Sequence, residues 1–184
     1  HHIRTKFPTV NVHGFSPSEF IHFQEVFQEP VENLLREFAA AGLGSLPGGG
    51  GEILVDRVRD RISPLKANTA QWMGVMDHAH AQGLASSVTM MFGHVETIEE
   101  RFEHLVKLRE VQSRKPEHAK GFLAFIPWTF QDVDTLLARI RGVHNLTTQE
   151  EYLRMLALSR IMLPNIKNIQ ASWLTVGKPT AQLC

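Results

Sequence analysis

Residues able to bind a polar ligand follow several short apolar runs of the sequence. Gly48–Gly51 precede Glu52, and Gly93 precedes His94 and Glu96. A glycine run lets the backbone approach a ligand closely and presents free amide groups, and the carboxylate after it can accept hydrogen bonds from ribose hydroxyls. These two segments are therefore candidates for binding a ribose-bearing small molecule.

The residues alone leave plainer interpretations open for both segments. The glycine run has neither the GxGxxG spacing of dinucleotide sites nor the Gly-Lys-Ser/Thr of a P-loop. A flexible turn explains it as well as a ligand does. For His94 and Glu96, the residues alone favour a satisfied histidine and an acid that complements a helix dipole.

Hydrolytic chemistry finds less support. Ten histidines raise the possibility of a metal-dependent hydrolase, but no His-Glu-x-x-His pair occurs. His78 and His80, two residues apart on a predicted helix, would face different directions, and we expect His22 in an earlier helix. No Gly-x-Ser-x-Gly elbow is present, and Cys184 has no defined surroundings as a nucleophile. No metal site is predicted within this chain.

Composition limits the class of protein. The 184 residues are 43% hydrophobic and 21% charged, which is enough for one sizeable core. Lys plus Arg equals Asp plus Glu at 19 each, so no overall field favours nucleic acid or an anionic membrane. No apolar run approaches the ~20 residues that span a bilayer. With one cysteine and no disulfide framework, we expect a cytoplasmic protein with small-molecule partners, without nucleic acid or membrane.

The elements that must position the candidate residues are short strands alternating with helices. The spacing between successive β-rich runs leaves room for a helical crossover, which predicts parallel strands. The carboxyl ends of parallel strands share one edge, where ligands bind in such folds. The five predicted runs are Thr9–Phe15, Gly42–Pro47, Ser86–Phe92, Gly121–Pro127 and Lys167–Trp173.

Helix starts and ends have local signals. Apolar residues recur at helical spacing from Val31 to Ala41, and Gly42 should end that helix. Capping boxes predict three further helix starts, at Ser16 with Glu19, Thr97 with Glu100 and Thr148 with Glu151.

The alternation fits two architectures. A doubly wound sheet and a β/α barrel both accept it, and periodicity does not separate them. A complete eight-stranded barrel needs roughly 250 residues, so a barrel of this length would be incomplete.

Three segments together resemble the radical S-adenosylmethionine synthases of the futalosine pathway. They are Ser45–Leu54, Thr89–Thr97 and Phe125–Gln131, and His13–Pro17 and Asn168–Trp173 extend the resemblance over nearly the whole chain. Pro127–Gln131 and Ile169–Trp173 look most like the cyclic dehypoxanthinyl futalosine synthases. Aminofutalosine synthases are the near relatives, and FO synthases rank third.

The resemblance implies that residues 1–184 are the central part of a single radical S-adenosylmethionine domain. This would be an α/β fold, a partial TIM-like barrel with about five strand–helix units. The 4Fe–4S cluster is expected on a Cys-x3-Cys-x2-Cys loop upstream of His1, and the last strands beyond Cys184. The piece alone is then expected to be inactive. A non-catalytic nucleoside-binding or scaffold fragment is the alternative of another class.

The resemblance also implies a reaction. Reductive cleavage of S-adenosylmethionine would generate a 5′-deoxyadenosyl radical that abstracts a hydrogen atom from the ribose of dehypoxanthine futalosine. The new carbon radical would then attack the ring and close the spiro product of menaquinone biosynthesis. An electron donor such as flavodoxin or ferredoxin would supply the electron. The cofactor carries such chemistry, while the protein fixes geometry. We therefore predict binding residues and no general acid or base.

Residue roles follow the resemblance position by position. Arg59 is the weakest of the assignments, because it is equally explained as an exposed helical arginine. Residues predicted to bind S-adenosylmethionine are Gly48, Gly49, Gly50, Gly51, Glu52, Arg59, Met91, Gly93, His94 and Glu96. Residues predicted to line the substrate cavity are His13, Ser16, Trp128, Thr129, Gln131, Gln170, Ser172 and Trp173.

Overall fold

The computed structural model describes residues 2–140 and 142–184 as an alternation of helices and strands. The strands are β1 (Val12–His13), β2 (Leu43–Leu46), β3 (Ala85–Phe92), β4 (Phe122–Thr129) and β5 (Asn168–Ile169). The helices are α1 (His2–Lys6), α2 (Pro17–Phe27), α3 (Val31–Ala41), α4 (Asp56–Ile62), α5 (Thr69–Ala81), α6 (Ile98–Arg114), α7 (Gln149–Met162) and α8 (Trp173–Leu183).

All five predicted strands are present and parallel. Each pairs with the next in chain order, which gives one sheet with the order β1-β2-β3-β4-β5. The outer strands are shorter than predicted, since β1 and β5 keep only two residues each. The longest pairing joins β3 to β4 from Ser86–Phe122 to Phe92–Thr129.

The strand order resolves the choice between the two architectures. A doubly wound sheet reverses its strand order at a switch point, whereas this order never reverses. Right-handed crossovers in unbroken order place the helices on one face of the sheet. In agreement, α2 contacts α3 and α5, α5 contacts α6, α6 contacts α7, and α7 contacts α8. The architecture is that of a partial β/α barrel.

The predicted helix boundaries are confirmed. The helix α3 covers the predicted residues, and Gly42 follows it at φ 109° with its amide bonded to the Ala39 carbonyl. The helix α6 begins after Thr97, whose hydroxyl accepts from the Glu100 amide at 3.3 Å. Thr148 caps α7 in the same way through the Glu151 amide at 3.2 Å.

The main core lies between the sheet and its helices. Register partners point to the same face, so Val88 with Phe125 and Met90 with Pro127 face the helical layer. The opposite face then carries Met91 beside Trp128 and polar residues nearer the strand starts. No helix in the described ranges is long and apolar enough to cross a membrane.

Candidate functional site

The glycine run follows β2 and lies along β3. The Gly48 amide donates to Ser87 Oγ at 3.1 Å, and Thr89 Oγ1 donates to the Gly48 carbonyl at 2.9 Å. A Cβ at Gly48 would collide with the Ser87 carbonyl oxygen. Glycine is therefore required at this position for packing against the strand. A flexible turn does not describe this end of the run.

Glu52 closes the loop and is the most unusual residue of the site. Its φ of 35° lies in the left-handed region, and the residue is only 7% exposed. Oε1 accepts from Lys66 Nζ at 2.8 Å, while Oε2 is buried without a hydrogen-bond partner among the described residues. A buried carboxylate oxygen in this state needs a donor. A ribose hydroxyl supplies one, so the site fits the predicted cosubstrate.

Arg59 is buried rather than exposed. The residue is 2% exposed, and its guanidinium donates to the Gly51 carbonyl at 2.9 Å and to the Ala67 carbonyl at 3.0 Å. The interpretation as an exposed helical arginine is therefore wrong. Burial lowers the pKa of Arg59, and the charge of Glu52 opposes that shift. Arg59 shapes the glycine loop, and its direct contact with a ligand stays a prediction.

Glu96 holds the turn after β3. Its side chain is fully buried; Oε1 accepts from the Gly93 amide at 2.6 Å and from Arg101 Nε at 2.7 Å. Oε2 accepts from the His94 amide at 3.0 Å. Burial alone would raise the pKa of Glu96, but the His94 side chain and the Gly93 and His94 amides lower it to about 2. A carboxylate bonded this fully orients the turn.

His94 lies inside the same turn. The residue is 3% exposed, its Nδ1 is 2.9 Å from Glu96 Oε2, and its Nε2 is 3.0 Å from the Met91 carbonyl oxygen. Gly93, at φ 90°, packs so close to Thr147 that a Cβ there would approach Thr147 Oγ1. The turn thus brings Gly93, His94 and Glu96 together, as predicted for the strand end. Ligand contacts of His94 and Glu96 stay predictions.

A second group of predicted residues lies at the ends of β4 and β5. Trp128 is half-buried, and Thr129 Oγ1 accepts from Gln131 Nε2 at 2.9 Å. The Gln170 amide donates to the Phe125 carbonyl at 2.9 Å, which extends the β4–β5 pairing one residue beyond Ile169. These positions could line a cavity, and their contact with substrate stays a prediction.

The start of α8 adds two predicted residues to this group. The Ser172 amide donates to the Tyr152 hydroxyl at 2.9 Å. Trp173 is 51% exposed, and Lys178 Nζ lies 5.8 Å from its ring centroid. An exposed indole at the rim is free to stack on a planar ligand.

The first strand contributes the remaining predicted residues. His13 Nδ1 lies 2.8 Å from Ser45 Oγ, which joins the ends of β1 and β2. The Ser16 amide donates to Glu19 Oε2 at 2.7 Å in the capping box of α2. A Cβ at Gly49 would lie 4.0 Å from Ser16 Cβ, so this turn borders the glycine loop.

Several residues that shape the site were not found from the sequence. Lys66 pairs with Glu52, and both His104 and Lys107 bond to Leu54 next to it. Tyr152 bonds to Pro127 of β4 and to Ser172 at the start of α8. No short motif links these partners; Tyr152 had one signal, as the only tyrosine of the chain.

The histidines do not assemble into a metal centre in the described part of the chain. No group of three or more His, Cys, Asp or Glu side chains there could hold a metal ion. His22 lies on α2, away from the strand ends, as expected. On α5, His78 is exposed and His80 is buried against Ser86, which confirms that they face different directions.

A parallel sheet in unbroken order, with the candidate residues toward the carboxyl ends of its strands, defines a protein of the β/α-barrel class. Residues 119–184 match the model of the CofH/MqnC C-terminal region. Over these residues the chain is similar to that family, and the relatives named below are enzymes.

The relatives carry three different named activities. The chain is 41% identical to the cyclic dehypoxanthine futalosine synthase of Streptomyces coelicolor, over 98% of its own length and 43% of that protein. It is 40% identical to a 5-amino-6-(D-ribitylamino)uracil–L-tyrosine 4-hydroxyphenyl transferase of Methanosarcina mazei, over 98% of the chain and 48% of that protein. The aminodeoxyfutalosine synthase of Thermus thermophilus is 36% identical over 98% and 48%. The chain spans about half the length of these relatives.

Proposed function

We propose that the complete protein is a radical S-adenosylmethionine enzyme that cyclises dehypoxanthine futalosine in menaquinone biosynthesis. This chain would form the central part of its barrel domain and supply one side of the cosubstrate site. The observation that carries the proposal is the buried Glu52 Oε2, which has no partner among the described residues. Identity of about 40% to proteins of this activity supports it.

Within the site, Glu52 accepts a hydrogen bond from a ribose hydroxyl. The Gly48–Gly51 backbone passes beside the ligand, and a side chain at Gly48 would prevent the loop from packing against β3. Met91 gives the adenine an apolar border, and Trp128 and Trp173 offer flat surfaces to the substrate. The cosubstrate, when bound beside its iron–sulfur cluster, supplies the radical chemistry that removes a hydrogen atom from the substrate.

The remaining parts of the assembly belong to the complete protein. One cysteine cannot provide three thiolate ligands, so we expect the cluster on residues outside this chain. An electron donor such as flavodoxin or ferredoxin would reduce the cluster, and the cytoplasm is the compartment we propose. The piece of 184 residues alone should show no turnover.

A direct test is binding of S-adenosylmethionine to the complete, anaerobically reconstituted protein. Glu52→Gln should weaken binding by about 10- to 100-fold, since hydrogen bonds to a charged group contribute about 1.5–3 kcal/mol. Glu150→Gln, at an exposed ion pair on α7, is the matched control and should bind like the wild type. A wild-type protein that is folded, carries its cluster and still fails to bind would refute the proposal.

A second candidate is the transferase activity named for the Methanosarcina relative, because its identity of 40% is nearly the same. The two activities differ in the substrate consumed. The complete protein should be incubated separately with dehypoxanthine futalosine and with tyrosine plus 5-amino-6-(D-ribitylamino)uracil. Conversion of the second mixture alone would assign the transferase and exclude the cyclase.

A further inference from the structure

The backbone of Leu54, two residues after Glu52, is held by α6 at both its amide and its carbonyl group. The Leu54 amide donates to His104 Nδ1 at 3.0 Å. Lys107 Nζ donates to the Leu54 carbonyl at 2.6 Å. His104 and Lys107 are three positions apart and therefore share one face of the helix. A side chain that accepts and one that donates thus bind opposite groups of the same residue.

These two hydrogen bonds act on a segment whose backbone is strained. A non-glycine residue at φ 35°, as Glu52 is, persists only where its surroundings enforce it. The Glu52 carbonyl accepts from the Met91 amide at 3.0 Å, and the Gly51 carbonyl accepts from Arg59. The contacts to Leu54 restrain the chain on the other side of Glu52. These contacts therefore restrain the backbone before and after Glu52.

His104 is suited to a fixed accepting role. The residue is completely buried, and burial lowers its pKa to about 3, with the nearby Arg59 and Lys107 charges acting in the same direction. The ring is therefore neutral near pH 7. Because Nδ1 accepts from Leu54, the proton of the neutral ring is on Nε2. Its accepting nitrogen does not switch over the physiological range.

We propose that His104 and Lys107 are positioning residues that fix the backbone of Leu54 and thereby orient the Glu52 carboxylate toward the ribose of the ligand. They act through the backbone and touch no ligand themselves. The part that concerns the ligand rests on the proposed function, and the part that concerns the backbone does not.

The backbone part is tested by hydrogen exchange at the Leu54 amide in the complete protein. His104→Leu fills the site with an apolar side chain but removes the acceptor. The Leu54 amide should then exchange at least about tenfold faster. His104→Asn places an oxygen near the Nδ1 position and should restore slow exchange. Unchanged exchange in His104→Leu would overturn the proposal. If that variant fails to fold, a folded His104→Asn with fast exchange overturns it as well.

The ligand part is tested by S-adenosylmethionine binding. His104→Leu and Lys107→Met should each weaken binding about tenfold. The control is Glu103→Gln, which removes the Lys107–Glu103 ion pair of 2.5 Å and leaves the Leu54 contact in place. This control should bind like the wild type.

A double-mutant cycle separates positioning from general damage. In a Glu52→Gln background, His104→Leu should cause no further loss, because the group it positions is already altered. An equal, additive loss in that background would overturn the positioning role. If the wild type binds no S-adenosylmethionine while Leu54 exchange responds as expected, the proposed function fails and the backbone restraint stands.

Discussion

The Tyr152 hydroxyl donates a hydrogen bond of 2.9 Å to the carbonyl of Pro127. The same oxygen accepts from the Ser172 amide at 2.9 Å, and the ring stacks on Phe92 with 10° between the planes. One buried side chain of α7 thus ties the end of β4 to the turn that opens α8. Burial raises the pKa of this phenol, so the hydroxyl keeps its donor proton.

Tyr152→Phe should destabilise the protein by about 1–3 kcal/mol, because the Pro127 carbonyl and the Ser172 amide each lose a buried partner. Ser159→Ala is the matched control. Its hydroxyl is also buried on α7, but it bonds only to the Met155 carbonyl of its own helix, so the loss should be smaller. Urea denaturation measures the free energy of unfolding of the two variants. Equal losses of stability would contradict the bridging role of Tyr152.

Gly93→Ala should destabilise the turn after β3 by about 2 kcal/mol or more, since an alanine at φ 90° is strained and its Cβ would collide with Thr147. Gly74→Ala gives the comparison within α5, where a Cβ meets no described atom within 4 Å. That change should stabilise by up to about 1 kcal/mol. Thermal unfolding measures the stability of both variants. A Gly93→Ala variant as stable as the wild type would show that the turn relaxes.

Glu96→Gln should cost about 3–5 kcal/mol of stability, because it leaves Arg101 and His94 facing a neutral amide in a buried site. Arg101 also pairs with Glu151 at 2.5 Å, whose side chain is 35% exposed. Glu151→Gln should therefore cost at most about 1 kcal/mol. Chemical denaturation at pH 7 measures the free energy of unfolding of both variants. A small loss of stability in Glu96→Gln would mean that the turn is held by its backbone alone.

Two buried histidines should make the protein less stable in mild acid. Burial lowers the pKa of His80 to about 4 and that of His104 to about 3; Asp77 opposes the shift at His80 and Lys115 adds to it. The unfolded chain binds these protons first. The free energy of unfolding is therefore unaffected by these groups above pH 6.5, the ordinary pKa of histidine. Below it, the free energy of unfolding falls toward pH 4 by up to about 1.4 kcal/mol per pH unit for each group.

Variants of single histidines show which group causes the slope of stability against pH. His80→Gln removes one of the two groups and should roughly halve the loss of stability between pH 6.5 and 5 measured by denaturation. His78→Gln, at an exposed position of the same helix, should leave the slope unchanged. An unaltered slope in His80→Gln would show that this histidine is protonated in the folded protein as readily as in the unfolded one.

Local signals explain why much of the fold was predictable. The apolar spacing and the following Gly42 set both ends of α3, and Thr97 and Thr148 set the starts of α6 and α7. Strand lengths were less accessible. The pairing of β1 ends at His13, whereas the apolar pattern continued to Phe15, since strand ends depend on the neighbouring strand.

The site was predictable only where its residues are close in sequence. Glu52 stands out after four glycines, but Lys66 lies 14 residues away and His104 bonds to a residue 50 positions before it. The His104 contact forms only when α6 packs on the loop, and Lys66 reaches Glu52 from the segment between α4 and α5. Arg59 shows the same limit, because only the packed structure reveals that its donors bind backbone carbonyls.

The unbroken strand order also bears on how the chain reaches its structure during synthesis. Among the described residues, each strand pairs only with its immediate neighbours in chain order. No gap between two early strands has to stay open for a later one. The sheet can grow from its amino-terminal edge as the chain emerges, and the residues of the glycine loop meet β3 as soon as that strand is complete.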